Sequence, residues 1–350
     1  MPSSITLEQL FIEAKTKKAS DLHLVVGRQP IIRANGELKP LDYPELTEKK
    51  MEELVFSIIN PAQKQKFIDN KDLDVSYQTK DGTRFRVNLH FERDNIGLVA
   101  RVIPSVAPTM EEVDMPPVVY DLTRLDYGLI LVTGPTGCGK STSLAAMIDL
   151  INKEKTVNII TLEDPIEFLF KFNKSVIRQR QLGTDMNTFT EGLKHALRQD
   201  PNVIMVGEMR DLDTIATTLT LAETGHLVLA TLHTPNSAQT IDRIIDVFPP
   251  HQQSQVRLQL SFSLKAVISQ RLLPEVSGTG RVASREILIN NPAVANLIRE
   301  SKTGQIKTVI QTSAEEGMIS MDQSIKKLVQ EGRVSKEVAL AHVTDPQSLK

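Results

Sequence analysis

The stretch "TGPTGCGKSTS", residues Thr133–Ser143, limits the possible folds of this chain more than any other. Gly134 to Ser141 fit the phosphate-loop pattern G-x-x-x-x-G-K-[ST]. Such a loop works only between a strand and a helix, and both flanks agree. The apolar run Leu129 to Val132 precedes it, and Leu144, Met147, Ile148 and Ile151 fall on one face of a following helix. Gly134, Gly137 and Gly139 let backbone N–H groups turn inward around phosphate oxygens. The helix N-terminus adds positive potential there. Lys140 is placed to reach the β- and γ-phosphates, and Ser141 to bind Mg²⁺. Pro135, Thr136, Cys138 and Thr142 complete the segment expected to hold ATP. A glycine-rich turn with an incidental lysine is the alternative, and the strand–loop–helix setting argues against it. Cys138 is either a small residue filling a loop position or an oxidisable thiol at a helix N-terminus. Nothing else in the sequence argues for a redox switch.

Three further apolar runs end in polar groups. "VNIITLEDPIE" ends in Glu163, Asp164 and Glu167, "NVIMVGEMRD" in Gly207 and Glu208, and "HLVLATLHT" near His233. Open α/β sheets bind ligands beyond the carboxyl ends of their strands, so four strand ends are expected to converge on one nucleotide. Glu208 is expected to contact Mg²⁺, directly or through water, because the usual aspartate position is Gly207. Glu163 is assigned to polarising the attacking water and His233 to sensing the γ-phosphate. Solvated strand-end carboxylates are the plain alternative. His226 and His233 are seven residues apart, which is no zinc-ligand spacing, and His226 reads as structural.

The 350 residues divide by pattern into four parts. Residues 1–103 read as a small α+β unit. It has a helix on Leu7, Leu10, Phe11 and Ala14, strands in "DLHLVV" and "PIIRANGELKPL" with a turn at Asn35-Gly36, a helix from Glu48 to Ile59, and three later strands. Residues 104–118 hold four prolines in the fourteen of "PSVAPTMEEVDMPP" and read as a linker. Residues 119–273 alternate apolar runs with helices, the mark of a mostly parallel sheet. Residues 274–350 read as short helices. Hydrophobic content of 40% and charged content of 24% suit a globular chain with a real core. The net charge of −2 and 4% aromatic content give little sign of a basic, stacking-rich nucleic-acid channel, and no nucleic-acid partner is expected. Cys138 is the one cysteine, so no internal disulfide can form. No leader peptide is evident, and no apolar stretch approaches the roughly 18 residues of a membrane span. A cytoplasmic location without direct membrane insertion is expected.

"RFRVNLHFERDNIGLVAR" places Arg84, Arg86, Arg93 and Arg101 in a part of the chain without a phosphate loop. Arg84 and Arg86 share a strand face by the period of two. These arginines either complete a nucleotide site on another domain or subunit, or form a solvated basic edge that resists aggregation.

Taken together, these residues resemble the secretion-superfamily ATPases, specifically type IV pilus retraction motors of the PilT/PilU kind. "ASDLHL", "GPTGCGKST", "TLEDPIEF", "RQDPNVIMVGEMRD" and "AETGHLVLATLHT" match, in order, the family's opening signature, Walker A, aspartate box, Walker B and histidine box. "RFRV" and the later "VAR" match its arginine-bearing strands and single out Arg86 and Arg101, fifteen residues apart, as fingers acting in trans. The resemblance implies a PAS-like α+β N-terminal domain, then a RecA-like P-loop ATPase domain with a C-terminal helical part. It also implies a homohexamer turning over ATP with Mg²⁺ and working on an inner-membrane platform protein at the pilus base, peripheral to the inner face of the membrane. A paralogous motor ATPase is a further implied partner. Two positions depart from the family pattern. Cys138 stands where serine is usual, and "AVANLIRE" stands for AIRNLIRE, so Ala295 replaces an arginine. In that segment Val294, Leu297 and Ile298 form one apolar face, either a docking surface or the rim of a helical bundle.

Retraction is the expected direction. Assembly motors of the superfamily usually carry a four-cysteine zinc insertion and extra N-terminal domains, and the expectation is that neither is present. A type II secretion or pilus assembly ATPase and an accessory subunit acting mainly by binding are the competing readings.

Overall fold

The computed structural model describes residues 5–34, 36–103, 106–278 and 280–349. The chain forms two compact units, Met1–Val106 with Glu167–Leu169, and Ala107–Ile166 with Phe170–Lys350.

The first unit contains α1 (Leu7–Thr16), β1 (Asp21–Leu24), β2 (Ile31–Ala34), β3 (Glu37–Pro40), α2 (Glu48–Phe56), α3 (Pro61–Asn70), β4 (Asp72–Gln78), β5 (Arg84–Glu92) and β6 (Asn95–Ile103). Its sheet is antiparallel in the order β3-β2-β1-β6-β5-β4. Alternation along the strands gives it two unlike faces. Leu22, Leu24, Phe85, Val87, Leu89, Leu98 and Ala100 pack under the helices, against Phe11, Met51, Leu54, Val55 and Phe67. The opposite face is polar. Asp21 stands opposite both Arg33 and Arg101, and Arg101 opposite Arg86. The expected turn at Asn35-Gly36 falls partly outside the described residues. The sequence reading missed α3, whose Asn60 cap and Pro61 start are ordinary helix signals.

The second unit contains α4 (Pro117–Thr123), β7 (Gly128–Thr133), α5 (Lys140–Glu154), β8 (Asn158–Glu163), β9 (Val176–Gln181), α6 (Phe189–Ala196), β10 (Val203–Val206), α7 (Leu212–Glu223), β11 (Leu227–Leu232), α8 (Ser237–Asp246), α9 (Pro250–Ser263), β12 (Leu264–Pro274), β13 (Arg281–Ile289), α10 (Pro292–Arg299), α11 (Ile306–Thr312), α12 (Met321–Gln330) and α13 (Lys336–Leu340). The sheet order is β13-β12-β7-β11-β10-β8-β9, parallel except for β13. Both faces are covered, so its central strands are apolar throughout. Leu129 and Leu131 of β7 pack toward α6 to α11, and Ile130 and Val132 toward α4 and α5.

Two expected boundaries differ in the structure. The proline-rich stretch is not a free linker beyond Val106. Met110 and Met115 are buried in the core with α4 and α5. The Arg285 guanidinium donates to Asp114 O at 2.9 Å and Val113 O at 2.7 Å. Pro104 and Ser105 lie outside the described residues. The part after residue 274 is not wholly helical, because β13 extends the sheet and pairs with β12 along its length. "RVASREILI" mixes charged and apolar residues, as an edge strand does, and so lacks the continuous apolar run that marks the central strands.

Candidate nucleotide site

The parallel register brings the carboxyl ends of four strands to one level. Val206 pairs with Leu162 and Ala230, and Thr231 with Val132. The phosphate loop, Glu163, Glu208 and His233 therefore issue from one edge of the sheet, as the sequence reading expects.

The loop leaves β7 at Gly134 and enters α5 through Gly139, whose φ of 85° is left-handed. No side chain caps α5, so its first-turn N–H groups are not taken by the usual serine, threonine or aspartate acceptor. That cradle fits a phosphate chain. Gly134 has no room for a side chain, since a Cβ would lie 2.3 Å from Gln270 O and 2.8 Å from Cys138 Sγ. Lys140 Nζ donates to the loop's own carbonyls, Gly134 O at 2.8 Å and Pro135 O at 3.1 Å, so the ammonium already lies over the turn. Pro135, Thr136 and Gly137 are exposed, and Ser141 and Thr142 are half-buried on the first turn of α5. Cys138 is buried, and burial pushes its thiol pKa up despite the nearby Lys140. The structure thus favours the small filling residue over an activated thiol.

Glu163 is buried at the end of β8. Its Oε1 accepts from Thr161 Oγ1 at 2.6 Å and Gln179 Nε2 at 3.1 Å. Those contacts fix its rotamer at the sheet edge. Glu208 follows β10, and its two oxygens meet His233 Nε2 at 2.9 Å and Arg210 Nη2 at 2.8 Å. Burial disfavours its charge, but the hydrogen bonds from Arg210 and His233 outweigh burial and hold its pKa below the ordinary value. Glu208 is therefore a carboxylate at neutral pH. Arg210 also lies 3.6 Å from Asp164, which ties the ends of β8 and β10 together. His233 is held by Glu208, so its position is set by the acid that was assigned to the metal.

Gly207 stands between the end of β10 and that acid, where the chain runs close to β8. A Cβ on residue 207 would lie 3.0 Å from Leu162 O and 3.3 Å from Glu163 Cα, both backbone atoms of β8. Thr231 Oγ1 also donates to Gly207 O. Gly207→Ala is expected to cost about 1–3 kcal/mol of overpacking. A thermal unfolding curve of the variant checks this, and an unchanged Tm would count against the tight fit.

Among the described residues, no cluster of three or more His, Cys, Asp or Glu could hold a metal by itself. Ser141 and the ionised Glu208 are hard oxygen donors, and Mg²⁺ typically takes one or two such ligands together with substrate phosphates. The donor set fits that ion.

Arg86 and Arg101 lie within the first unit, on its polar sheet face. Arg101 Nε lies 2.9 Å from Asp21 Oδ1, with the guanidinium side chain 71% exposed. Arg86 Nη2 lies 3.9 Å from Asp74. Arg84 Nη2 donates to Ser76 Oγ at 3.3 Å, and Arg93 sits in the β5–β6 turn at a φ of 48°. The direct Arg86–Arg101 pairing across two strands could not be read from their spacing alone. Sequence reasoning also missed Arg210, Gln179 and Gln270. Gln270 had a visible signal, as the centre of the polar triplet Ser269, Gln270 and Arg271 inside "AVISQRLL".

The chain is 46% identical over 341 residues to the type IV pilus retraction ATPase PilT of Pseudomonas aeruginosa, covering 97% of this chain and 98% of that one. It is 39% identical over 334 residues to the type IV pilus ATPase PilU of the same organism, covering 95% and 87%. A crystal structure of the pilus retraction motor PilT with bound ADP superposes with a TM-score of 0.92 at 44% identity, over 99% of both chains. The Type II/IV secretion system protein family matches residues 2–343, and with a phosphate loop, three acid- and histidine-bearing strand ends and full-length likeness to its members, this chain belongs to that family.

Proposed function

We propose that this chain is an ATP-hydrolysing hexameric motor that powers type IV pilus retraction. The observation that carries the reading is likeness to the retraction ATPase PilT over 97% of this chain, and the phosphate loop, Glu163, Glu208 and His233 at one sheet edge support it. In this reading Lys140 and the loop amides bind the β- and γ-phosphates. Ser141 and Glu208 hold Mg²⁺, which when bound neutralises charge on the phosphate oxygens. Glu163 orients and polarises the attacking water. His233, held by Glu208, senses the γ-phosphate from the end of β11. Arg86 and Arg101 complete the site from an N-terminal domain. In this reading the first unit serves as the N-terminal domain, and the ATPase unit begins at Ala107 and includes β13.

A motor of this kind works on an inner-membrane platform protein, from the cytoplasmic side and as a peripheral protein. No helix among the described residues is long and apolar enough to cross a membrane. Segment α10 is the proposed coupling element. Val294 and Ile298 are buried and Leu297 packs against the same core, so its apolar face belongs to the bundle. The outward side carries Asn296, Arg299 and Glu300, joined by hydrogen bonds of 3.0 and 3.3 Å through Asn296. Arg299→Ala is therefore the cleaner test. It is expected to keep ATPase activity within about twofold, as surface changes do, while blocking retraction in twitching assays. Twitching at the normal rate would remove α10 from the coupling.

Deletion of the gene is expected to leave cells with many surface pili that do not shorten. Cells without pili would indicate an assembly motor. Normal retraction would favour an accessory subunit beside a paralogous motor, a second reading supported by the likeness to PilU and by Ala295.

A further inference from the structure

Strand β12 carries a side chain that meets the phosphate loop yet lies outside every nucleotide motif. Gln270 is 1% exposed. Its Nε2 donates to Cys138 O at 2.6 Å, and its Oε1 accepts from Ser143 Oγ at 2.9 Å. Its backbone oxygen closes off the space beside Gly134, 2.3 Å from where a Cβ would stand. One residue thus meets the loop at its start and near its end, and meets the first turn of α5. The amide orientation follows from its partners, since a reversed amide would face one oxygen with another.

The carbonyl of Cys138 and the N–H of Gly139 belong to one peptide bond. In a planar trans peptide these two groups point in opposite directions. With the carbonyl held toward Gln270, the Gly139 N–H must point away from β12, into the turn that opens the N-terminus of α5. We propose that Gln270 is a positioning residue for nucleotide binding. It fixes the 138–139 peptide with its donor facing the phosphates, and through Ser143 it sets the first turn of α5 against the loop. It touches no substrate atom itself. The inference rests on the nucleotide-binding reading of the loop.

An oriented loop amide contacts the phosphates before and during reaction alike. Its loss therefore weakens binding more than it slows the chemical step. Gln270→Met keeps the volume and removes both hydrogen bonds, and Gln270→Glu keeps the acceptor for Ser143 but loses the donor to Cys138. In the full-length protein both are expected to raise the KM for ATP and the Kd for ADP about tenfold, equal to about 1.4 kcal/mol, with kcat within about threefold. A merely structural role would lower the fraction of active protein, so Vmax would fall with KM and Kd unchanged, and that result overturns the proposal. Should both variants fail to fold, Ser143→Ala removes one anchor and is expected to raise KM and Kd about threefold, and unchanged values there overturn it equally. Wild-type protein that neither binds ADP nor hydrolyses ATP would instead sink the nucleotide reading itself. Wild-type binding with unaltered Gln270 variants sinks only the role of Gln270.

Discussion

Lys140→Ala is expected to leave no measurable ATP turnover, whereas Glu208→Gln leaves ATP bound but hydrolysed about 10²–10³-fold more slowly. The two variants remove different things. Lys140 lies over the loop, bonded to Gly134 O and Pro135 O, so its charge stands beside the loop amides. Without it, the loop amides face a polyphosphate with no full positive charge beside them, and binding and turnover fall together. Glu208 follows β10, two strands along the sheet from β7, and is ionised. Glutamine keeps its shape and loses the charge that the metal and His233 would feel. The fold is expected to survive the change, because glutamine keeps a carbonyl oxygen as acceptor and Arg210 is more than half exposed to solvent. Equilibrium nucleotide binding and turnover, measured on both purified proteins, separate the cases. Turnover at the wild-type rate in either variant would remove that residue from the site.

The ionisation of Glu208 also sets a pH expectation. Its folded pKa lies below the ordinary glutamate value of 4.5. A depressed carboxylate contributes stability above its unfolded pKa and loses it as pH falls through the folded one. The clamp among Glu208, Arg210 and His233 is therefore complete at neutral pH with respect to the acid, and its carboxylate does not set an acid limb of the rate profile near neutrality.

The phosphate loop was legible because its glycines, lysine and hydroxyl obey a local pattern whose meaning does not depend on distant chain. β7, β8, β10 and β11 were legible for a related reason. Strands buried on both faces are continuous apolar runs, and their polar ends mark the ligand edge. The edge strands β9 and β13 were not. "VIRQRQ" and "RVASREILI" carry charged residues because they border the sheet, and edge strands lack the continuous apolar signature. Met110 and Met115 show the limit of composition. Four prolines excluded regular structure, yet two methionines between them anchor the segment to the core, and only tertiary packing decides that. Glu163 and Glu208 could be named from their strands, but Arg210, Thr161 and Gln179, which orient them, became visible only with the register. Gln270 lies 132 residues from the carbonyl it holds.

Arg101→Ala is expected to slow ATP turnover by about 10³-fold or more while leaving fold and assembly intact. The guanidinium is 71% exposed and pairs with a nearly buried Asp21, which keeps a second hydrogen bond from Ser20 Oγ at 2.8 Å. Burial raises the Asp21 pKa, and the Ser20 and Arg101 contacts together bring it below the ordinary value. Removing the guanidinium leaves the buried Asp21 with its Ser20 hydrogen bond, so the fold is expected to persist at some cost in stability. Arg86 stands directly opposite on β5, so two guanidinium groups share one face of the sheet. Like charges in that position are mildly unfavourable. A pair kept against that cost is what a site recognising phosphate oxygens would use, and a face meant only to discourage aggregation gains nothing from arginine over lysine. Whether the fingers act in trans can be read by mixing two inactive proteins. Lys140→Ala subunits have intact arginines, and Arg101→Ala subunits have an intact loop. In mixed rings assembled from both, some sites then combine a loop from one subunit with an arginine from another, and activity returns. Mixing that restores nothing, with mixed rings demonstrated by mass, would place the arginines in cis. Full activity of Arg101→Ala alone at saturating ATP and Mg²⁺ would leave the pair as a solvated edge.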